Sequence, residues 1–266
     1  MVLIGIVLVL FVVVWVGLAT IAGPLFSGAG WRFAPSPLAV ARQLIAPRAI
    51  ELAAWIAVIG GLGWRRVAGL VAGRPSAWGM VPLGLFGIAA VMTVGQSTVA
   101  SKGALTVALA GAGSLLSALT EEVAFRGFLL HGLSRRLGGT GAVLLSSALF
   151  ATFHVPVFLA NQVPELDGAL IGMFGFGVAM CRIRVATGSL WVPAGVHALY
   201  NLTLVGLMVW GFPQGQAWLS YLWLARGLSV MGIVLAADLV LRWLVPTALR
   251  HIRTTTAPTS GVLIDG

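Results

Sequence analysis

Charge is what this sequence has least of. Of 266 residues, 16 are basic and 7 acidic, 9% in all, where a soluble domain carries roughly a quarter. With 59% hydrophobic residues and a mean hydropathy of +1.02, most of the surface must meet lipid. Cysteine is nearly missing as well. The single Cys181 excludes a disulfide framework and a thiolate metal cluster. Lysine is reduced to Lys102, so the net charge of +9 comes from arginine. In so apolar a chain that excess orients loops against the cytoplasmic leaflet, and no nucleic-acid partner is expected. The preference for arginine over lysine points to a GC-rich genome and hence to a bacterial plasma membrane. Repeats of 20 to 50 residues are absent too, which excludes a solenoid and gives no support to an inverted-repeat carrier.

What is present is a series of long apolar runs, too unbroken for a β-barrel. They fall near 2–22, 50–63, 78–100, 104–130, 141–160, 167–183, 188–210 and 217–244, separated by Gly, Pro or Arg. The expected fold is therefore all-α, a polytopic membrane protein of about eight transmembrane helices in one bundle. The first run is longer than the apolar core of a cleaved signal and is read as a retained span. Spans one to three occupy 1–100, with an interfacial segment near 35–47; spans four to seven occupy 101–210; the last span lies in 211–245; and 246–266 reads as a disordered cytoplasmic tail.

The arginines test this division. Arg65, Arg66, Arg74, Arg135, Arg136, Arg182, Arg184, Arg242, Arg250 and Arg253 fall in alternate connections, against only Arg32, Arg42, Arg48 and Lys102 in the others. Cytoplasmic connections carry the excess, so both termini are expected in the cytoplasm. Glycines such as Gly168 and Gly172, at small-xxx-small spacing, are expected to let helices approach closely.

An ionised group at the centre of a membrane helix costs about 2.5–3.5 kcal/mol on insertion scales, so each exception needs a reason. Here they cluster: Glu121, Glu122 and Arg126 in the fourth span, His154 in the fifth, and His197 with Asn201 in the seventh. Counted from the cytoplasmic helix ends at about 1.5 Å per residue, Glu121, His154 and His197 share a layer roughly 13–21 Å deep. Glu122 and Arg126 lie at i,i+4, the favoured order for an ion pair, whereas Glu121 points about 100° away and stays free for general-base work. Phe150 sits one turn before His154 as an aromatic wall. His197 and Asn201, also i,i+4, are two donors able to hold a developing oxyanion.

Each residue also has a plainer reading. Glu122 with Arg126 is first of all a structural pair, a lone intramembrane histidine usually makes an interhelical hydrogen bond, and an asparagine is usually helix glue. His131 and His251 read as interfacial or solvated. Asp238 reads as a packing residue or a partner for Arg242 at i+4, and Trp191, Trp218 and Tyr221 as an interfacial belt.

Three short motifs carry these residues: T-E-E-V-A-F-R-G (Thr120 to Gly127), F-A-T-F-H (Phe150 to His154) and H-A-L-Y-N (His197 to Asn201). They resemble the E-E-x-x-x-R, F-x-x-x-H and H-x-x-x-N motifs of the CPBP family, the CAAX-protease and bacteriocin-processing membrane proteases, also called Abi, which include the type II CAAX prenyl endopeptidases. Each is weak alone; all three in order make a strong signal. The resemblance covers roughly 105–205 and makes 101–210 a catalytic core. It implies an eight-helix intramembrane endopeptidase open to the cytoplasmic side. Glu121 and His154 would activate water, His197 and Asn201 would hold the oxyanion, and Glu122, Arg126 and Phe150 would support the site. The resemblance favours no cofactor, although Glu, two His and Asn are zinc-ligand types and zinc stays open. Its substrates are peptides or membrane proteins, with lipid as the surrounding partner. Two rivals remain at this point: a proton-coupled transporter using the same buried Glu and His as a relay, and a non-catalytic immunity protein.

Overall fold

The computed structural model describes residues 6–13, 37–71, 80–81, 84–85, 87–88, 104–160, 165–210 and 226–241. Among these, every regular element is a helix and none is a strand. The principal helices are α1 (Ala46–Gly61), α2 (Ala104–Glu122), α3 (Leu130–Phe153), α4 (Val155–Ala160), α5 (Leu166–Thr187) and α6 (Trp191–Trp210). Helical stretches at 6–13 and 226–241 flank them. The expected spans and boundaries within 14–36, 89–103, 211–225 and 242–266, including Trp218, Tyr221, Arg242 and His251, lie outside the described residues.

Among the described residues, two helical stretches are long and apolar enough to cross a membrane, Ala104–Phe153 and Leu166–Thr187. The first is not one rod. Helical hydrogen bonding runs on through α3, yet Gly138 at φ 68°, ψ 178° breaks the path. Ser146 Oγ donates to Phe125 O at 3.1 Å, whereas 21 residues along a straight helix would separate them by about 31 Å. The chain therefore doubles back at Gly138, two residues after Arg135 and Arg136, where the arginine count places a connection. Glycine suits this point because a side chain is strained at positive φ.

Between α2 and α3 the helix widens into a π segment, Val123–Leu129, whose seven residues are all buried. Burial around the whole circumference requires neighbours on every side. Phe11 meets Phe125 at 5.1 Å between ring centroids and Trp55 meets Phe128 at 5.2 Å. Gly127 lies against Ile59 and Ala68. α2 packs along α6 and α3 along α5, while α1 leans on α2. The enclosed π segment is the axle of this bundle, and π turns recur at functional positions because they re-aim side chains.

Three connections meet at one end. Trp64 meets His131 edge-on at 4.8 Å, Arg184 Nη2 donates to Val67 O at 2.8 Å, Leu190 N to Gly69 O at 3.1 Å, and Trp191 Nε1 to Leu70 O at 3.2 Å. The turn carrying Arg65 and Arg66, the reversal after Arg135 and Arg136, and the exit past Arg182 and Arg184 are thereby brought together. His131, read as interfacial or solvated, is half-buried against Trp64.

In the segment near 35–47, Pro37–Val40 and a π segment, Ala41–Ile45, run without a break into α1. Thr120 Oγ1 donates to Arg48 O at 3.1 Å. Arg48, counted above in an outer connection, thus sits beside the Glu121 layer, its charge met by Glu51 at 2.6 Å. The close helix approach also shifts from its expected place. Among the described residues Gly168 has only its own neighbour Glu165 within reach, and Gly172 faces Ser229 Oγ at the limit of contact. It is Gly175 that leaves room for the Ser229 backbone, and Gly177 for Ser147.

Candidate active site

Four helical segments supply the site. α2 ends on Glu121 and Glu122, the π segment holds Arg126, α3 brings Phe150 and ends at His154, and α6 carries His197 and Asn201. The relative exposures of Glu121, Glu122, Arg126 and His197 are 5%, 0%, 1% and 3%. Ionisable groups so enclosed must satisfy one another.

Local backbone chemistry aims His154. Pro156 has no N–H to continue the helix, and α3 stops. The His154 amide turns to Ala151 O at 3.0 Å, leaving Phe150 O without its helical donor. The imidazole takes the vacated place, with Nδ1 2.8 Å from Phe150 O. A carbonyl offers only lone pairs, so Nδ1 carries the proton and Nε2 is the acceptor. That Nε2 faces Glu121 Oε2 across 3.8 Å.

His197 is aimed by a different partner. Its Nδ1 lies 2.9 Å from Glu122 Oε1, the oxygen that also accepts Arg126 Nη1 at 3.0 Å. Facing a carboxylate held by a guanidinium, Nδ1 again donates, and Nε2 points to Glu121 Oε2 at 3.7 Å. The structural pair expected of Glu122 and Arg126 is therefore present and has a second task, holding the His197 ring in one orientation.

Both imidazole nitrogens thus approach one carboxylate oxygen from different helices, at distances beyond direct hydrogen bonding. Glu121 Oε1 receives Ser117 Oγ at 3.4 Å, while Oε2 is buried without a protein partner. A separation near 3.7 Å between polar atoms suits a small polar molecule held between them. An acceptor oxygen and two imidazoles around one point can take a proton from water and stabilise what forms.

Aromatic rings close the site. Phe150 places its face 4.4 Å from the Arg126 guanidinium carbon and lies 4.7 Å from His154 and 6.0 Å from His197, centroid to centroid. Phe176 on α5 meets His197 at 5.0 Å and Tyr200 at 4.9 Å. Arg126 Nη2 finishes its bonding on Gly177 O at 3.2 Å. Asn201 is half-buried one turn beyond His197, so the three residues at the centre are Glu121, His154 and His197.

Sequence reasoning passed over Ser117, Phe176 and the Arg48–Glu51 pair. The i,i+4 spacing of Ser117 ahead of Glu121 is a usable signal; Phe176 reads like any core aromatic.

Comparison with known proteins bears on the same stretch. No curated protein and no solved structure matches the chain. Residues 103–203, which hold every motif residue from Glu121 to Asn201, match the family model described as Type II CAAX prenyl endopeptidase Rce1-like, the group of membrane proteases that the three motifs resemble.

Proposed function

We propose that the protein is an intramembrane endopeptidase that hydrolyses a peptide bond of a membrane-associated or lipidated substrate by direct attack of water. The observation that carries this reading is the approach of His154 Nε2 and His197 Nε2 to Glu121 Oε2, at 3.8 and 3.7 Å. Glu121 takes a proton from water, and neutral His154, its Nδ1–H committed to a carbonyl, offers Nε2 as a second acceptor. The hydroxide adds to the scissile carbonyl. His197, backed by the Glu122 carboxylate, carries a proton on Nε2 as well and presents it to the oxyanion, with Asn201 one turn further along α6 as a second donor. Collapse of the tetrahedral adduct passes a proton to the leaving amine and yields a new carboxylate. No acyl-enzyme and no metal take part.

The reading includes eight spans, cytoplasmic termini in a bacterial plasma membrane and a site open to the cytoplasm. The three arginine-bearing connections gathered at one end of the bundle support that orientation.

The test uses the full chain in detergent and a membrane-anchored peptide library as substrate. His154→Ala, His197→Ala and Asn201→Ala should each lower kcat by about 10²–10⁴. Wild-type rates retained in all three variants would rule the mechanism out. Loss of activity with a chelator, restored by zinc, would keep the protease and remove its metal-free form.

A further inference from the structure

Away from the Glu121 group, at the end where the three connections meet, lies a cavity of about 310 Å³. Three guanidiniums and an imidazole line it: Arg126, His131, Arg182 and Arg184. No acidic side chain does, among the described residues. Arg126 already has its carboxylate in Glu122, at 3.0 Å, but neither Arg182 nor Arg184 meets an acidic side chain among the residues lining the cavity, so an anion would complete it.

The nitrogens show where an anion would bind. Arg184 spends Nη2 on Val67 O, and its buried Nε has no partner. Arg126, 1% exposed, spends Nη1 on Glu122 and Nη2 on Gly177 O, and its Nε is also buried without one. Arg182 is exposed at the rim and makes no hydrogen bond or ion pair among the described residues. Ser134 gives its hydroxyl proton to His131 O at 2.8 Å and is no donor here. The guanidinium donors left for a ligand belong chiefly to Arg182 and Arg184, a pair that suits an oxyanion such as phosphate.

The rest of the wall is apolar. Leu130, Val143, Val185 and Leu239 complete it, and Val185 is 59% exposed, so the cavity opens beside a hydrophobic outer surface. A volume of 310 Å³ equals about ten water molecules, enough for a phosphate with a glycerol-sized substituent. Cationic donors inside, apolar wall at the mouth and a place at the arginine-rich end together suit an amphiphile at the membrane surface.

We propose that this cavity binds a phosphate group, presented by the headgroup of an anionic phospholipid in the adjoining leaflet. Arg126 is shared between the cavity and the Glu122–His197 pair, so a phosphate bound there would add a second fixed anion to the guanidinium that positions His197. Binding itself rests on no part of the proteolytic reading, and a variant lacking His154 should bind as wild type does.

The test measures phosphatidylglycerol and phosphatidylcholine binding to the detergent-purified full chain by native mass spectrometry. Wild type should prefer phosphatidylglycerol at least fivefold. Replacing Arg182 and Arg184 together by Gln should weaken phosphatidylglycerol binding about 25-fold, at roughly fivefold per arginine, and leave phosphatidylcholine unchanged. Arg182→Lys with Arg184→Lys should keep most of the preference, which separates lost charge from lost fold. Competition by millimolar inorganic phosphate in wild type, lost in the Gln variant, would support the phosphate chemistry with a free ligand as a further source. Equal binding of the two lipids, or a preference unchanged by the Gln pair, would overturn the proposal. So would displacement by a peptide with a free C-terminal carboxylate that phosphate cannot match, since the cavity would then belong to the substrate.

Discussion

Glu122 Oε1 and His197 Nδ1 are 2.9 Å apart, joining residues 75 positions distant in the chain. The same oxygen accepts Arg126 at 3.0 Å. A carboxylate between two donors in a buried setting is expensive to disturb, because removing it leaves a guanidinium enclosed without its counter-charge. Glu122→Ala should cost about 3–5 kcal/mol, read as a lower melting midpoint in detergent, and should abolish turnover with it. Glu122→Gln keeps an acceptor oxygen, so it should lose less stability than Glu122→Ala and still lose most activity. Equal stability of the two variants would mean that the acceptor oxygen contributes nothing once the charge is gone.

Arg126 gives the complementary case. Arg126→Ala should lower stability by a similar 3–5 kcal/mol or so, and Glu122→Gln combined with Arg126→Met should be less destabilised than the sum of the single changes. A double-mutant cycle on melting midpoints measures the coupling. Strict additivity would contradict the pairing.

The kink at His154 yields a prediction about geometry alone. Pro156→Ala restores a backbone donor and lets α3 run on, returning the His154 amide to Phe150 O and displacing the imidazole from it. Turnover should fall about tenfold or more while the melting midpoint stays level or rises, since small misplacements of a catalytic group are costly to rate and not to stability. A variant with wild-type kcat would show that Phe150 O does not set the imidazole.

Phe150 touches Arg126, His154 and His197 and is fully buried. Phe150→Ala should destabilise by about 3–5 kcal/mol, while Phe150→Leu retains volume and loses the ring face, so it should be mildly destabilised yet clearly less active. Comparing kcat with unfolding for the two variants separates packing from the cation–π contact.

Helix spacing gives the last structural prediction. A methyl group at Gly175 would run into the backbone of Ser229, whereas Gly168 has no other helix within reach among the described residues. Gly175→Ala should lower the melting midpoint and Gly168→Ala should leave it unchanged; the reverse order would place the contact elsewhere.

The depth estimate in the sequence drew Glu121, His154 and His197 into one layer, and the fold brings their polar atoms within 3.8 Å. Depth was legible because charge is so scarce and helix rise so constant that position along a span translates into height. Direction around the helix was less so. Glu121 and Glu122 differ by one residue, and their divergence was readable as an angle, but which of them meets His197 Nδ1 depends on how α2 and α6 are rotated against each other. The π segment after Glu122 has no compositional mark, since Val123–Leu129 reads as an ordinary apolar helix. Arg48 lies within a helix and not in a connection for a related reason: counting by connection assumes that helices begin where apolar runs begin, and α1 begins earlier, bringing Arg48 O to Thr120. Gly168 and Gly172 fitted a small-residue spacing, yet the approach falls on Gly175, because spacing fixes a face and leaves the crossing point open.

Glu121 Oε2 is the atom on which the account turns. The most direct test measures cleavage of a membrane-anchored peptide by purified wild type and by Glu121→Gln at matched melting midpoints. The amide has the size of the carboxylate and cannot accept the water proton, so the rate should drop by at least about 10³. Cleavage by Glu121→Gln within about threefold of wild type would contradict the claim that this carboxylate activates the water.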